Sequence, residues 1–216
     1  MADIAYADWF RFAMRHFHQA GNRRLVELFS GPGALAMIAE QQGFEVFRLD
    51  NSRHALGKEG RRILAEATAL PLKADCFAGL LAANASINYL ADDKALAAHF
   101  AECAAILCHG GAYVFDFCPT ERAYGLHAHH FTALEGQVTF SHRFSPADQE
   151  LMSAVKIHSG DGQIVTELHR QCIFTPIEVR AAAVAAGFEV REEAENYGLP
   201  FSGDNAPMVA MVLVKP

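Results

Sequence analysis

The segment that most constrains this chain is the apolar run Arg24-Leu25-Val26-Glu27-Leu28-Phe29, its turn Ser30-Gly31-Pro32-Gly33, and the helical pattern from Ala34 to Gln42. A short apolar strand that turns on glycines straight into a helix exposes backbone at the turn. Gly31 and Gly33 can take positive φ and carry no side chain, so a ligand can approach the main chain closely. The helix then offers unpaired N–H groups and the positive end of its dipole, which suits a phosphate or a carboxylate.

The same rhythm continues downstream. Phe44 to Leu49 reads as a second strand that ends at Asp50, Arg53 to Arg62 as a helix, and Ile63 to Glu66 as a short third strand. Phe77 to Ala83 is an unbroken apolar run, the mark of a strand buried on both faces. Asp92-Asp93 opens a helix to about Cys108; His109-Gly110-Gly111 breaks it, and Ala112 to Phe117 is the next strand. Such alternation implies a parallel sheet with helices on both faces. Ahead of it, Ile4 to about Gln19 carries Trp9, Phe10, Phe12 and Phe17 at helical spacing, and Gly21-Asn22 ends that helix. After Pro119 the pattern changes. Val138 to Phe144, Leu151 to His158 and Ile164 to Phe174 read as antiparallel strands, with Ser159-Gly160-Asp161-Gly162 as a hairpin turn. A helix from about Pro176 to Ala186, closed by Gly187, and strands Phe188 to Ala194 and Pro207 to Val214 complete the chain.

Composition narrows the function classes. The 216 residues are 51% hydrophobic and 20% charged, a globular balance. A net charge of −7 argues against a nucleic-acid partner, and no apolar run reaches the length of a membrane span. The five cysteines form no CxxC pair, so no structural zinc is expected. Their odd number and the lack of a leader pattern lead to the expectation of a cytoplasmic protein.

Asp50, at a strand end, is placed to accept hydrogen bonds from ribose hydroxyls, as acids do in dinucleotide sites too. The spacing Gly31-x-Gly33-x-x-Ala36 is a permitted variant of the dinucleotide fingerprint. Glu27 tilts the choice: an acid there repels a pyrophosphate and suits an amino-acid ligand with an ammonium group. A Tyr-x-x-x-Lys dyad, which an oxidoreductase of this kind uses, is missing: Phe117 follows Tyr113 and Ala128 follows Tyr124 at that spacing.

Glu27-Leu28-Phe29-Ser30-Gly31-Pro32-Gly33 resembles the first motif of class I S-adenosylmethionine (SAM)-dependent methyltransferases. Asp50-Asn51-Ser52 resembles their second, acidic motif, and Glu66-Ala67-Thr68-Ala69-Leu70-Pro71 the third. Phe77 to Leu90, with Asn84-Ala85-Ser86-Ile87-Asn88-Tyr89, is similar to their fourth strand and its loop; Gly110-Gly111 before Tyr113-Val114-Phe115-Asp116 is similar to the turn into strand five. Phe29 stands where the family often has glycine, Ala78 where it often has aspartate, and Glu66 replaces a more frequent aspartate.

The resemblance implies an α/β fold: a seven-stranded, mostly parallel Rossmann-like sheet with helices on both faces, plus an antiparallel strand insertion after strand five. It implies one domain over residues 1–216, with an N-terminal helix or lid over 1–20 and an acceptor-covering insertion over about 120–175. Glu27 and the turn Phe29, Ser30, Gly31 and Gly33 are then expected to hold the methionine moiety of SAM. Asp50 is expected to bind ribose, Asn51 and Ser52 to lie near the adenosine, Glu66 and Ala67 to bracket adenine, and Asn84 to face the methionine end.

The implied activity is methyl transfer to a small-molecule N or O nucleophile, leaving S-adenosylhomocysteine (SAH). In this displacement the protein mainly aligns the acceptor, so no strict catalytic motif is expected. Tyr89, Asp116, His142, Arg143 and Arg170 are the acceptor-site candidates, and Tyr6, Trp9 and Phe10 can close the site from the first helix. His127-x-His129-His130 invites a metal reading, but no acid or thiol falls at ligand spacing, so no metal is expected. The chain is expected to be a monomer or a homodimer. A SAM-binding protein without activity and an NAD(P)-linked oxidoreductase remain as alternatives.

Overall fold

The computed structural model describes residues 6–17, 21–133, 137–158, 162–198 and 207–216. In chain order the elements are α1 (Tyr6–Met14), β1 (Arg24–Leu28), α2 (Ala34–Gln41), β2 (Glu45–Asp50), β3 (Arg61–Leu64), β4 (Phe77–Ala82), α3 (Asp93–Ile106), β5 (Leu107–Phe117), α4 (Thr120–Leu126), β6 (His130–Ala133), β7 (Val138–Ser145), β8 (Glu150–His158), β9 (Ile164–Cys172), α5 (Pro176–Ala185), β10 (Glu189–Glu195) and β11 (Val209–Val214). Seven strands form one sheet in the order β10-β11-β5-β4-β1-β2-β3, parallel except for β11, which runs against both β5 and β10. The expected mostly parallel sheet with helices on both faces is present. Its central strands are fully buried: every residue of β4 is inaccessible, as its unbroken apolar run requires.

One face of the sheet packs Leu80 and Phe115 with Phe100 of α3, under α3 and α5; the other packs Leu25 and Val114 with Trp9 of α1, under α1 and α2. Helix starts follow local chemistry. Asp92 caps α3 by accepting from the Ala95 N–H at 2.8 Å, and Thr175 with Glu178 forms a capping box on α5. A second sheet, β6-β7-β8-β9, is wholly antiparallel and lies between β5 and α5 in the chain.

Several elements differ from the sequence reading. No helix forms between Arg53 and Arg62. A single turn, Leu56 N–H to the Ser52 carbonyl, stops where Gly57 and Gly60 take φ of 62° and 75°. β3 begins at Arg61 rather than Ile63. α3 stops at Ile106, and Cys108 lies in β5, because β5 starts at once and carries Gly110 within it, bonded to the Lys215 carbonyl. α4 and β6, for which the sequence pattern gives no element, bracket the histidine cluster: His127 caps the end of α4 and His130 opens β6. The hairpin turn assigned to residues 159–162 falls, except for Gly162, outside the described residues.

Candidate active site

The glycine turn is anchored on both sides. Ser30 N–H reaches the Leu49 carbonyl at 2.9 Å, and Gly33 N–H returns to the Ser30 carbonyl at 2.8 Å. Gly31 and Gly33 sit at φ of 49° and 81°. The two glycines serve different ends. A Cβ on Gly31 would meet nothing within 4 Å, so that face of the turn is open. A Cβ on Gly33 would stand 2.7 Å from Arg48, so there the close approach is made by a buried arginine. Phe29 adopts φ of 52°, a strained conformation for a residue with a side chain, and its ring packs against His99.

Glu27 is buried at 5% exposure and spends both carboxylate oxygens on α2. It accepts from Leu35 N–H at 3.2 Å and Ala36 N–H at 3.0 Å. Gly33, the residue before the helix, has no side chain to cap it, so an acid from β1 satisfies the orphan donors instead. Burial pushes the Glu27 carboxyl up to about 7, against the pull of those two N–H groups and of Arg48, its partner across the β1–β2 ladder.

Asp50 ties the turn to the end of β2. Its Oδ2 accepts from Gly31 N–H and its Oδ1 from Ser52 N–H, each at 2.8 Å. Each oxygen keeps a lone pair facing a half-exposed surface. Asn51 donates to Glu66 at 3.2 Å, which brings the second and third motifs together, and Ser52 accepts from Ala55 N–H at 3.2 Å through its hydroxyl. Ala67 is buried, and its carbonyl accepts from His99 Nδ1 at 2.9 Å. His99 Nε2 in turn accepts from the Tyr113 hydroxyl at 2.8 Å. Full burial lowers the His99 pKa to about 4, so the ring is neutral with its proton on Nδ1. Glu102, one turn later on α3, caps Leu70 N–H at 2.7 Å. His99 and Glu102 therefore hold the third-motif loop from below. They read as ordinary α3 residues in the sequence, and only a polar residue on the buried side of that helix hints at them.

Asp116 is a hub, fully buried at the end of β5. It accepts from Trp9 Nε1 at 2.8 Å, Asn84 N–H at 3.0 Å, Ala85 N–H at 2.5 Å and Tyr197 Oη at 2.6 Å. Desolvation raises its pKa, and these four donors oppose the rise. It is thus shielded from any acceptor, and its work is to hold the loop after β4, where Asn84 and Ala85 take φ of 65° and 56°. Asn84 itself receives a different partner: its Nδ2 donates to Tyr6 Oη at 2.8 Å. Of the three α1 residues expected to close the site, Trp9 and Phe10 are core, and Tyr6 reaches Asn84.

The loop after β4 borders a cavity of about 630 Å³ under the second sheet. Strand register sorts that sheet's inner face into rows. Phe144, Leu151 and Gln171 lie nearest the loop; Gln171 donates to the Ala85 carbonyl at 3.3 Å. Next come His142, Ser153 and His169, then Phe140, Val155 and Glu167, then Val138, Ile157 and Val165. His142 Nδ1 lies 2.7 Å from Ser153 Oγ. Tyr89 Oη meets His169 Nδ1 at 2.8 Å, and His169 Nε2 faces Glu167 at 3.6 Å. Arg143 and Arg170 fall on the opposite face, with Arg170 bonded to Glu150, so they do not reach the cavity. Asn88, fully buried, joins the two sheets: it donates to the carbonyls of Cys118 and Cys172 and accepts from Cys118 N–H. His127 accepts from Phe144 N–H at 3.1 Å, and among the described residues no group of side chains is arranged to hold a metal ion. Among them, no helix is long and apolar enough to cross a membrane.

No protein-family model and no curated protein sequence matches this chain. Solved structures do. A SAM-dependent methyltransferase from Clostridium acetobutylicum ATCC 824 superposes with a TM-score of 0.81 at 16% identity, over 99% of this chain and 93% of that one. The CcbJ methyltransferase from Streptomyces caelestis gives 0.80 at 18% identity, over 97% and 89%. The sugar N-methyltransferase KedS8 from Streptoalloteichus sp ATCC 53650 gives 0.74 at 20% identity, over 98% and 87%. The fold is therefore that of the SAM-dependent methyltransferases along the whole described chain, at identities where fold and substrate part company.

Proposed function

We propose that this chain is an enzyme that transfers a methyl group from SAM to a small molecule held under the second sheet, with SAH as the other product. The observation that carries this reading is the open backbone at Gly31 beside Asp50, at the same sheet end from which Asn84 borders the cavity. Bound SAM supplies an electrophilic methyl group on a sulfonium. The residues here supply position. The free lone pairs of Asp50 suit ribose hydroxyls, and Asn51, Glu66 and Ala67 form an edge suited to adenine. Phe29, Ser30, Gly31 and Gly33 shape the turn for the methionine moiety, and Glu27 fixes that turn by clamping α2 rather than by offering a free charge. Asn84 and Tyr6 line the passage to the acceptor, and the insertion over about 120–175 is its cover.

An N–H or O–H acceptor loses a proton. The neutral imidazole of His142, which lines the cavity, can receive it, while Tyr89 Oη is held to His169 Nδ1, whose Nε2 faces Glu167. Burial and Glu167 both raise the Tyr89 pKa, so the phenol stays protonated and lines the cavity as a neutral group.

Calorimetry with SAM, SAH and NAD tests the cofactor. SAH is expected to bind below about 0.1 mM and NAD not to bind; no SAH binding at about 1 mM refutes the reading. Formation of SAH from SAM on addition of an acceptor separates an enzyme from a protein that only binds the cofactor.

A further inference from the structure

The inner face of the second sheet has a specific chemical character. Its two outer rows offer Phe140, Val155, Val138 and Ile157 to the cavity, with Glu167 at the β9 end of one row, and Leu126 of α4 and Met208 line it as well. The aromatic rings of Phe131, Phe140 and His142 stand nearly parallel across β6 and β7. Phe131 and Phe140 are stacked at 4.5 Å and 10°, and His142 lies at 16° to Phe140. A flat ligand can lie along such a wall without disturbing it. Within this wall one polar atom lacks a partner: His142 Nε2 is buried and unbonded, while Nδ1 is taken by Ser153. A buried polar atom without a partner is costly, and a ligand N–H or O–H beside it removes the cost. Desolvation above all, and then His129, Arg122 and His130 facing it from the neighbouring elements, lower the His142 pKa, so the imidazole is neutral. It therefore hydrogen-bonds as a neutral ring and does not select an anion.

We propose that the acceptor is a planar aromatic molecule with a single hydroxyl or amine, its ring against Phe140, Val155 and Ile157 and its polar group bonded to His142 Nε2. This rests on the reading of the cavity as the acceptor site. A polyhydroxylated acceptor fits it poorly, because each hydroxyl set against Phe140, Val155, Val138 or Ile157 loses water and gains no partner there.

The probes are 2-naphthol and D-glucosamine, titrated by calorimetry into the full chain with and without SAH. The expected result is 2-naphthol binding with a Kd on the order of 0.1 mM or tighter and no glucosamine binding at about 10 mM. His142→Phe keeps a flat ring and removes Nε2; it is expected to weaken 2-naphthol about fivefold to tenfold, as loss of one buried hydrogen bond does. Ile157→Lys places a charge at the rim of the apolar row, where a polar side chain can reach water, and is expected to weaken it at least about tenfold. Circular dichroism establishes that each variant is folded; if one is not, the other carries the test. Glucosamine binding tighter than 2-naphthol, absence of 2-naphthol binding below about 1 mM, or unchanged affinity in the folded variants overturns the inference. SAH binding without 2-naphthol binding overturns this inference alone. Binding of 2-naphthol without SAH overturns the methyl-transfer reading and leaves an aromatic-ligand site.

Discussion

Two buried groups make opposite and nearly equal contributions to stability against pH, and single substitutions should unmask each. Glu27 has an ordinary pKa of 4.5 and sits at about 7 in the fold. Between those values the folded chain holds a proton that the unfolded chain has released, so stability falls as pH rises through this window. His99 has an ordinary pKa of 6.5 and sits at about 4 in the fold. Between about 4 and 6.5 the unfolded chain binds the proton that the folded chain refuses, so stability rises with pH. Each shift corresponds to about 3 kcal/mol, since one pKa unit is worth about 1.4 kcal/mol. Both groups are buried, so no allowance for solvent screening reduces these figures, and the two effects largely cancel. Glu27→Gln removes the falling component and keeps an acceptor for one of the two α2 N–H groups. His99→Asn removes the rising component and keeps a donor toward the Ala67 carbonyl. Any constant cost of these changes drops out of the slope. Urea unfolding of the three proteins between about pH 4 and 7.5 reads the result. Relative to wild type, Glu27→Gln should gain about 3 kcal/mol across the upper window and His99→Asn should lose about 3 kcal/mol across the lower. Curves parallel to wild type would refute the argument: the Glu27 clamp on α2 and the neutral His99 bridge would then not exist in solution.

The two glycines of the turn should separate stability from binding. Gly31→Ala meets open space and costs only the left-handed backbone term of about 1–2 kcal/mol, yet its methyl group stands on the open face, so SAH affinity in calorimetry should fall at least about tenfold. Gly33→Ala drives a methyl group into Arg48 and should cost about 3 kcal/mol or more, seen as a lower thermal midpoint. Asn88→Ala leaves Cys118 N–H and two carbonyls without their side-chain partner between the two sheets. It should cost about 3 kcal/mol in urea unfolding, and hydrogen exchange should rise first in β7 to β9.

The strand ends that carry the proposed SAM site were legible because they come in a fixed order along the chain. Glu27, Gly31, Asp50 and Asn84 each lie at or just beyond the end of a strand whose apolar run announces it, and the parallel sheet brings those ends together. What the pattern could not say is what each side chain spends itself on. Glu27 reads as a charge for an ammonium group, and its carboxylate is consumed by the N-terminus of α2. Gly33 reads as room for a ligand and is room for Arg48. Asp116 reads as an acceptor contact and is buried under Trp9 and Tyr197. In each case a partner more than five residues away decides the role, and no local spacing encodes that partner. The helix assigned to residues 53–62 failed for a local reason, because Gly57 and Gly60 outweigh the helical residues around them.

The acceptor half hides behind a different physical fact. In a strand, adjacent residues face opposite ways, so a polar dipeptide such as His142-Arg143 or His169-Arg170 always splits between cavity and exterior. Which half goes inside depends on register against β8, in which Ser153 stands opposite both His142 and His169. A shift of one residue would put Arg143 and Arg170 under the roof and make an anionic acceptor the natural ligand. The observed register puts two imidazoles and a serine there, flanked by Phe140, Val155 and Ile157. On the proposed reading, the charge this cavity prefers in its ligand is thus a property of strand register in the insertion, and the arginines, prominent in the sequence, bear on it only by being turned away.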